Sequence, residues 1–379
     1  MNISKHKFII FGTYSANTLG QIRSLGEKGI HPIAVLVHKN TLRIDKSKYI
    51  SILFNVKNIE EGLELIIDKY SNEEYKPFLF TDRDDVMSLL DTNYNRIINK
   101  FFFWNAGAQG ALKKYLNKAE QLKLAEECGF IIPKTEVVKV GILPKSLRYP
   151  IFTKAIDSLS QWWKGCAYIC RNEEELKRVY SLIEEKILVL QEYIEKSDET
   201  PIEGISIDGG KDIFIFGKTH NYRMPNDSFG TYRYIELLND IVLEQKIKRF
   251  IKAVNYTGAF EIELIIDNQG NAHFLEANFR IAQQNYGYTK FGANIPYIYA
   301  KSILLDKIDR EEIKYTTKRP FNIIYEFEDF KLFVINGKIT IKQWIKDIRK
   351  TDVFLFYNND DKAPFYYTII EKIKNIIGI

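Results

Sequence analysis

An alternating segment over residues 258–280 constrains the fold of this chain more than any other feature. It reads GAFEIELIIDNQGNAHFLEANFR, with apolar residues at every second position on either side of a polar run. This pattern predicts two β-strands joined by a tight turn of either two residues (269–270) or four residues (268–271). Both turns give the same register, in which one face of the second strand carries Phe274, Glu276, Asn278 and Arg280.

Carboxylates meet across this predicted hairpin. In the predicted register Glu263 lies opposite Glu276, and Glu261 lies opposite Asn278. Like charges directly opposite each other destabilise a sheet. The carboxylates, the amide and Arg280 on one face therefore indicate a missing cation, and oxygen ligands favour Mg²⁺ or Mn²⁺ over zinc. A solvated sheet face is the alternative interpretation.

Length and composition predict a soluble protein of two or three domains. The 379 residues are 45% hydrophobic and 27% charged, which is ordinary for such a protein. The net charge of +5 is small and dispersed, so an anionic ligand is expected but nucleic acid is not. Three cysteines without a nearby histidine predict no zinc site. No signal peptide or membrane span is predicted, and a cytoplasmic location is expected.

The first hundred residues predict an open parallel α/β sheet. Residues 8–11 and 33–37 have the pattern of buried strands with a helix between them. The loop after the first strand, GTYSANTLG, lacks the GxGxxG spacing of a dinucleotide site. A later strand (77–80) ends in the acidic loop 81–85. This loop predicts either a cap for the next helix, which is the preferred interpretation, or part of a ligand crevice.

Two lysines follow in positions that suit an anion. A helix is predicted over 118–128 with Asn117 and Glu120 as a capping box, which puts Lys118 in the first turn beside free backbone N–H groups. Lys154 closes an apolar strand predicted over 150–154. From residue 149 onward short strands dominate, so the chain is predicted to pass from an α/β to an α+β arrangement.

The order of these elements resembles the ATP-grasp superfamily. The resemblance is carried by NK at 117–118, YPIFTK at 149–154, LVLQEYI at 188–194, EGISID at 203–208, IEL at 262–264 and LEANFR at 275–280. It implies an N-terminal α/β domain (1–115), a two-lobed ATP-grasp module (116–310, with a smaller lobe over about 150–195) and a C-terminal extension packed on the module (311–379). It also implies ATP and Mg²⁺ (or Mn²⁺) as cofactors.

The resemblance implies a nucleotide site built from matching residues. Lys118 and Lys154 would contact the α- and β-phosphates. Glu203 would hold the ribose hydroxyls, with Glu199 as the competing candidate. The hinge that pairs with the adenine edge through its backbone would be formed by Gln191, Glu192, Tyr193 and Ile194.

The resemblance also implies the catalytic centre. Glu263, Glu276 and Asn278 would hold the magnesium ions, and Arg280, the catalytic partner of Lys154, would contact the γ-phosphate and the substrate. In the family a carboxylate attacks the γ-phosphate to give an acyl phosphate, and an amine then displaces phosphate. Phosphoryl transfer needs positioning and charge neutralisation, not a side-chain nucleophile.

The loop after Lys154 departs from the glycine-rich pattern of many ATP-grasp enzymes. It reads AIDSLSQWWKG and has a single glycine. Ser158, Ser160 and Lys164 are therefore candidate side-chain donors to ATP in place of a backbone nest. The pair Trp162-Trp163 predicts either a lid or an anchor. This loop resembles the branch of D-aspartate ligase and related carboxylate–amine ligases more than the carbamoyl-phosphate synthetase branch.

The substrate contacts are predicted from basic residues on the following strands. Arg223 and His220 are candidates for holding a substrate carboxylate by charge-assisted hydrogen bonds, and Arg233 and Asn285 are further candidates. The implied function is an ATP-dependent ligase that joins a small carboxylate to an amine. The alternatives are carboxyphosphate chemistry, as in carbamoyl-phosphate synthetase or biotin carboxylases, and a non-catalytic nucleotide-binding partner protein. A homodimer is a candidate assembly.

Overall fold

A computed structural model of the protein describes residues 3–38, 40–156, 163–223 and 230–377. These residues form a five-stranded N-terminal sheet, a seven-stranded central sheet and a four-stranded small sheet. Among them, no helix has both the length and the apolar character that crossing a membrane requires. The predicted mixture of parallel α/β and antiparallel architecture is confirmed.

The strands and helices have the following bounds. The strands are β1 (Phe8–Thr13), β2 (Ile33–Val37), β3 (Ile52–Val56), β4 (Phe78–Phe80), β5 (Phe102–Phe103), β6 (Thr135–Lys139), β7 (Ile151–Ala155), β8 (Tyr168–Cys170), β9 (Ile187–Glu192), β10 (Lys196–Ile207), β11 (Asp212–Asn221), β12 (Tyr232–Glu236), β13 (Gly258–Asp267), β14 (Ala272–Asn278), β15 (Phe321–Ile324) and β16 (Val353–Phe354). The helices are α1 (Ala16–Gly26), α2 (Ile59–Tyr70), α3 (Asp84–Thr92), α4 (Tyr94–Ile97), α5 (Lys118–Glu127), α6 (Glu173–Tyr180), α7 (Ile241–Val254), α8 (Asn285–Phe291), α9 (Ile295–Leu305), α10 (Glu326–Asp329), α11 (Ile341–Ile348) and α12 (Ala363–Ile377).

The N-terminal sheet is parallel throughout, in the order β3-β2-β1-β4-β5. Its central strands are continuous apolar runs because helices cover both faces. Helix α1 begins after Ser15, whose side chain accepts a hydrogen bond from the Thr18 N–H. Because β1 and β4 are neighbouring parallel strands, their carboxyl ends lie at the same edge of the sheet. Ligands bind at this edge in open α/β sheets.

The central sheet has the order β14-β13-β10-β11-β12-β15-β16. Its inner face carries Ile202, Ile262 and Leu264, which are fully buried in the main hydrophobic core. Strand β10 runs for 12 residues, and its first half, KSDETP, is mostly polar. Glu199 and Pro201 in this half line a site and not a core.

The β13–β14 hairpin keeps the predicted pairing at its carboxylates but not near its turn. Glu263 lies opposite Glu276 as predicted. The turn has four residues (268–271), and beside it Leu264 pairs with Phe274, one residue out of the predicted register. A bulge between the two pairs restores the register and puts the fully buried Phe274 on the core face. The prediction that Phe274 shares a face with Glu276 is therefore wrong.

The small sheet has the order β6-β9-β7-β8 and packs on helix α6. Its strands span residues 135–192, so it takes in β6, which lies before the predicted start of the smaller lobe at residue 150. The Lys118 N–H donates to the Ile156 carbonyl at 3.0 Å. This hydrogen bond holds the end of β7 against the start of α5 and brings the two predicted phosphate-binding lysines together.

The C-terminal extension joins the other parts of the molecule. Strand β15 pairs antiparallel with β12, and β16 pairs parallel with β15, so the extension continues the central sheet. The Arg23 Nε of α1 donates to the Asp361 carboxylate at 2.9 Å. The extension therefore packs on the N-terminal domain as well as on the central sheet.

Candidate active site

Acidic and amide side chains meet on the outer face of the central sheet, where β13 lies between β10 and β14. Glu263 lies opposite Glu276, and Glu261 lies opposite Asn278, in the predicted pairs. The Asn278 Nδ2 donates to Glu261 Oε2 at 3.0 Å and to Glu263 Oε1 at 2.9 Å. Burial, Glu261 and then Glu276 raise the pKa of Glu263 well above its usual value. The nearby positive charge of Arg233 therefore does not offset the burial of this carboxylate and its two acidic neighbours.

Two lysines face these carboxylates from the other side of the cleft. The Lys118 Nζ lies 3.1 Å from Glu276 Oε2, and this contact lowers the pKa of Glu276. Lys154 is half-buried near the end of β7, and desolvation followed by repulsion from Lys118 lowers its pKa to about 7. Two adjacent cations in a buried cleft are the arrangement expected around a bound polyanion.

Arg280 closes the third side of the cluster. Its Nε donates to Asp84 Oδ1 at 3.0 Å, so the first residue of α3 holds this guanidinium. Helix α3 begins after Arg83, which makes no side-chain capping hydrogen bond. Asp82 instead accepts hydrogen bonds from Ser15 and Thr18 and lines the cleft. The alternative interpretation of this loop, a ligand crevice, fits the structure better than the preferred capping interpretation.

A cavity of about 500 Å³ lies between the N-terminal sheet and this cluster. The N-terminal domain supplies one wall, from the loop after β1 and from Asp82. The other walls come from the central sheet, the segment after β14 and the C-terminal extension. They are formed by Glu199, Pro201, Gly230, Arg233, Glu261, Glu263, Arg280, Gln283, Gln284 and Tyr325.

The predicted hinge connects the small sheet to the central sheet. The Glu192 N–H donates to the Lys134 carbonyl at 2.9 Å, and the Tyr193 N–H donates to the Pro150 carbonyl at 2.9 Å. The Gln191 side chain is buried and donates to Thr135 Oγ1 at 3.1 Å. The Ile194 N–H has no hydrogen-bond acceptor among the described residues. A hinge–adenine contact would therefore use the Ile194 N–H and not that of Glu192.

The two ribose candidates occupy different surroundings. Glu203 is 2% exposed, pairs with Glu261 and does not line the cavity. Burial, followed by Glu261, raises the pKa of Glu203 well above its usual value. Glu199 lines the cavity and lies 2.6 Å from the Lys196 Nζ. The geometry thus favours Glu199, the competing candidate, for a polar ligand.

Neither preferred substrate residue reaches the cavity. In the β11–β12 ladder His220 pairs with Tyr234, and Asn221 pairs with Arg233. Adjacent residues of a strand face opposite ways, so His220 lies on the back of the sheet, where its Nδ1 contacts Asp198 Oδ2 at 2.7 Å. The cavity face belongs to Arg233, which the sequence analysis ranked lower.

Arg223 is held by the C-terminal extension. Its Nη2 donates to Asp347 Oδ2 at 3.1 Å, and its guanidinium packs over Tyr232 and Phe333. Sequence reasoning missed Asp347 and Phe333 because they lie more than a hundred residues away from Arg223 along the chain. The side chains of Ser158, Ser160 and Lys164 and of the Trp162-Trp163 pair lie outside the described residues.

The residues present fit a magnesium ion bound together with a phosphate. The predicted ligands, Glu263, Glu276 and Asn278, offer oxygen atoms of the kind that Mg²⁺ prefers. Within the described part of the chain, no group of three or more His, Cys, Asp or Glu side chains converges on one point. An ion here would therefore share its coordination with the ligand that it accompanies, as Mg²⁺ does with substrate phosphates.

Known proteins share this fold. The L-amino acid ligase of Bacillus licheniformis superposes with a TM-score of 0.62 at 12% identity, over 82% of this chain and 78% of that one. The N5-carboxyaminoimidazole synthetase of Staphylococcus aureus superposes with a TM-score of 0.62 at 13% identity, over 89% and 88%. Hydrogenobacter thermophilus 2-oxoglutarate carboxylase, whose biotin carboxylase domain was crystallised as a dimer with MgADP, ADP and bicarbonate, gives a TM-score of 0.59 at 18% identity, over 81% and 72%.

These structures have the ATP-grasp fold, and this protein has it too, as the sequence resemblance predicted. No protein-family model matches the chain. In sequence, the 2-oxoglutarate carboxylase small subunit of Hydrogenobacter thermophilus is 28% identical over 162 residues, which is 38% of this chain and 33% of that protein. The matched segment therefore spans about a third of this curated relative.

Proposed function

We propose that the protein is an ATP-dependent ligase that joins a small carboxylate to an amine and releases ADP and phosphate. The observation that carries the proposal is the facing pair Glu263 and Glu276 with Lys118, Lys154 and Arg280 around it. Carboxylates for a divalent ion and three cations for a polyphosphate are what phosphoryl transfer requires. The ligase activity of the structural neighbours supports the same reaction class.

The nucleotide would lie in the cleft between the small and the central sheets. Lys118 and Lys154 would neutralise the α- and β-phosphates. The Glu192 carbonyl and the Ile194 N–H would pair with the adenine edge, and Glu199 would accept the ribose hydroxyls. Mg²⁺ held by Glu263, Glu276 and Asn278 would neutralise charge on the β- and γ-phosphates.

The reaction has two steps in this proposal. A carboxylate oxygen of the first substrate attacks the γ-phosphorus, and the bond to the leaving ADP oxygen breaks, while Arg280 stabilises the charge on the transferred group. The amine nitrogen then attacks the acyl carbon, and the bond to the phosphate oxygen breaks with its electron pair. Phosphate leaves, and the amine gives up its proton.

A carboxyphosphate-forming reaction is the second candidate. It is favoured by the partial sequence match to a carboxylase subunit and by the neighbour that was crystallised with bicarbonate. In that reaction bicarbonate would take the place of the first substrate. A nucleotide-binding protein without catalysis is the third candidate, and a homodimer remains a prediction.

The test is ADP release by the purified protein with MgATP. Each of the twenty L-amino acids and a set of small carboxylic acids would be offered with hydroxylamine, which converts an acyl phosphate into a coloured hydroxamate. We expect hydroxamate formation with at least one carboxylate. ADP release stimulated by bicarbonate alone would support the second candidate, and nucleotide binding without turnover would support the third.

A further inference from the structure

The N-terminal domain forms one wall of the cavity, and this wall contains the carboxylate of Asp82, which can accept further hydrogen bonds. Asp82 Oδ2 accepts a hydrogen bond from Ser15 Oγ at 2.8 Å, and its Oδ1 accepts one from Thr18 Oγ1 at 3.1 Å. A Cβ at Gly12 would lie 2.8 Å from Asp82 Oδ1 and 2.5 Å from Thr18 Oγ1, so only glycine permits this approach. Two hydroxyl donors leave a carboxylate, which has about four acceptor sites, with capacity for another donor.

A second acceptor lines the same cavity. Gln284 is 8% exposed, and its Oε1 finds no hydrogen-bond partner among the described residues. An acceptor buried without a donor costs free energy, which the Gln284 side chain would recover by turning toward an N–H group bound in the cavity. Asp82 and Gln284 are therefore both expected to accept a hydrogen bond from the ligand. The preferred donor is a positively charged group.

The charges of this wall argue against an anionic ligand there. The described residues that the N-terminal domain contributes to the cavity are Thr13, Tyr14, Ser15, Ala16, Asn17, Asn40, Leu42 and Asp82. None of these carries a positive charge, and one carries a negative charge. Among the described residues of this wall, the phosphate of a phosphorylated amine would find no cation to pair with it.

We infer that Asp82 and Gln284 bind the ammonium group of the amine substrate, which makes this wall selective for an unphosphorylated primary amine such as an amino acid. The inference rests on the proposed function. Arg280 lines the same cavity as Asp82, so the bound amine would lie in the same space as the acyl phosphate that Arg280 stabilises. The ammonium would pass one proton to solvent water, and the neutral amine nitrogen would then attack the acyl carbon.

The experiment separates activation of the carboxylate from capture of the amine. Hydroxylamine is mostly uncharged at neutral pH and has no need of an ammonium site, so its hydroxamate reports activation alone. The amines would be the L-amino acids, ethanolamine and O-phosphoethanolamine, and amide formation would be followed by mass spectrometry. The variants would be Asp82→Asn and Gln284→Met, with Asp85→Asn as the matched control because Asp85 pairs with Arg83 outside the cavity.

We expect Asp82→Asn to raise the KM for the amine roughly 10- to 100-fold, the value of a charge-assisted hydrogen bond, while hydroxamate formation persists. Gln284→Met should raise the same KM by a smaller factor, and Asp85→Asn should not change it. Ethanolamine should be a better amine than O-phosphoethanolamine.

Failure takes two distinct forms. An unchanged amine KM in both variants, or a preference for O-phosphoethanolamine, would overturn the inference while the hydroxamate assay still supports a ligase. Absence of hydroxamate from the wild-type protein with every carboxylate would overturn the proposed function itself. Melting temperatures and MgATP titrations of each variant would identify a misfolded protein.

Discussion

Lys154 is the residue whose charge depends most on its surroundings. Burial and then Lys118 lower its pKa to about 7, so the free protein holds this lysine protonated below that pH and neutral above it. A phosphate prefers the protonated form. Nucleotide affinity is therefore expected to fall as the pH rises above about 7, by at most about tenfold per pH unit.

Titration calorimetry with a non-hydrolysable ATP analogue between pH 6.5 and pH 9 would measure this dependence. Lys154→Arg is the control, because arginine stays protonated throughout this range. The variant should lose the part of the pH dependence that belongs to residue 154. An identical pH dependence in both proteins would show that Lys154 does not contact the nucleotide.

Glu276 joins the predicted metal site to the phosphate site. Glu276→Gln removes the charge that pairs with the Lys118 Nζ at 3.1 Å and weakens the site for Mg²⁺. Loss of one preorganised electrostatic contact typically lowers the rate by roughly 10²–10³, and we expect ADP release with the best substrate to fall by at least that factor. Glu120→Gln on helix α5, which also carries Lys118, is the matched control because the Glu120 side chain is exposed.

At the scale of single elements, the start of α5 shows how a local signal positions a functional group. The Asn117 side chain accepts hydrogen bonds from the N–H groups of Ala119 and Glu120, which confirms the Asn117 half of the predicted capping box. The Asn117 N–H donates to the Lys114 carbonyl and not to Glu120. The cap fixes the first turn, to which Lys118 belongs. Local sequence was sufficient here because every partner lies within three residues.

We expect Asn117→Ala to lower the free energy of unfolding by about 1 kcal/mol and also to weaken MgATP binding through Lys118. Asn172→Ala removes an equivalent cap from α6, where the Asn172 side chain accepts from the Glu175 N–H. It should cost similar stability without changing nucleotide affinity. Urea unfolding and nucleotide titration would measure both effects, and equal nucleotide affinity in the two variants would contradict the role of the α5 cap.

The hairpin of β13 and β14 marks the limit of local prediction. Strand alternation predicted that Glu263 pairs with Glu276, and this is confirmed. The bulge that turns Phe274 into the core was not predicted. Its cause is the packing of Phe274 against Phe130 and Phe250, which come from other elements and leave no trace in the alternation of the hairpin itself.

At the scale of the whole molecule, a buried ion pair connects the two ends of the chain. Arg23 and Asp361 are both almost fully buried, and Asp361 also accepts hydrogen bonds from the Ser47 hydroxyl and the Lys48 N–H. Removing one partner leaves the other charged and desolvated. Such a loss is expected to be large, whereas an exposed pair contributes little.

We expect Arg23→Ala to lower the free energy of unfolding by about 3–5 kcal/mol. Arg319→Ala, which breaks the exposed pair with Asp352, should leave stability nearly unchanged. Chemical denaturation of both variants would test the comparison. A small effect of Arg23→Ala would mean that the C-terminal extension is held by its strands β15 and β16 and not by this pair.

The sequence by itself determined the parallel N-terminal sheet and the carboxylate pairs. It also determined that Lys118 lies at the start of a helix and Lys154 near the end of a strand. Each of these depends on a period of two, a cap or a short motif, and such signals act between neighbours in the chain or across one hairpin. Only the tertiary structure decided that Arg233 and Asp82 face the cavity, that His220 lies behind the sheet and that Arg223 pairs with the C-terminal extension. The direction of a polar side chain depends on which distant strands lie beside it, and that information arises only when the sheets pack together.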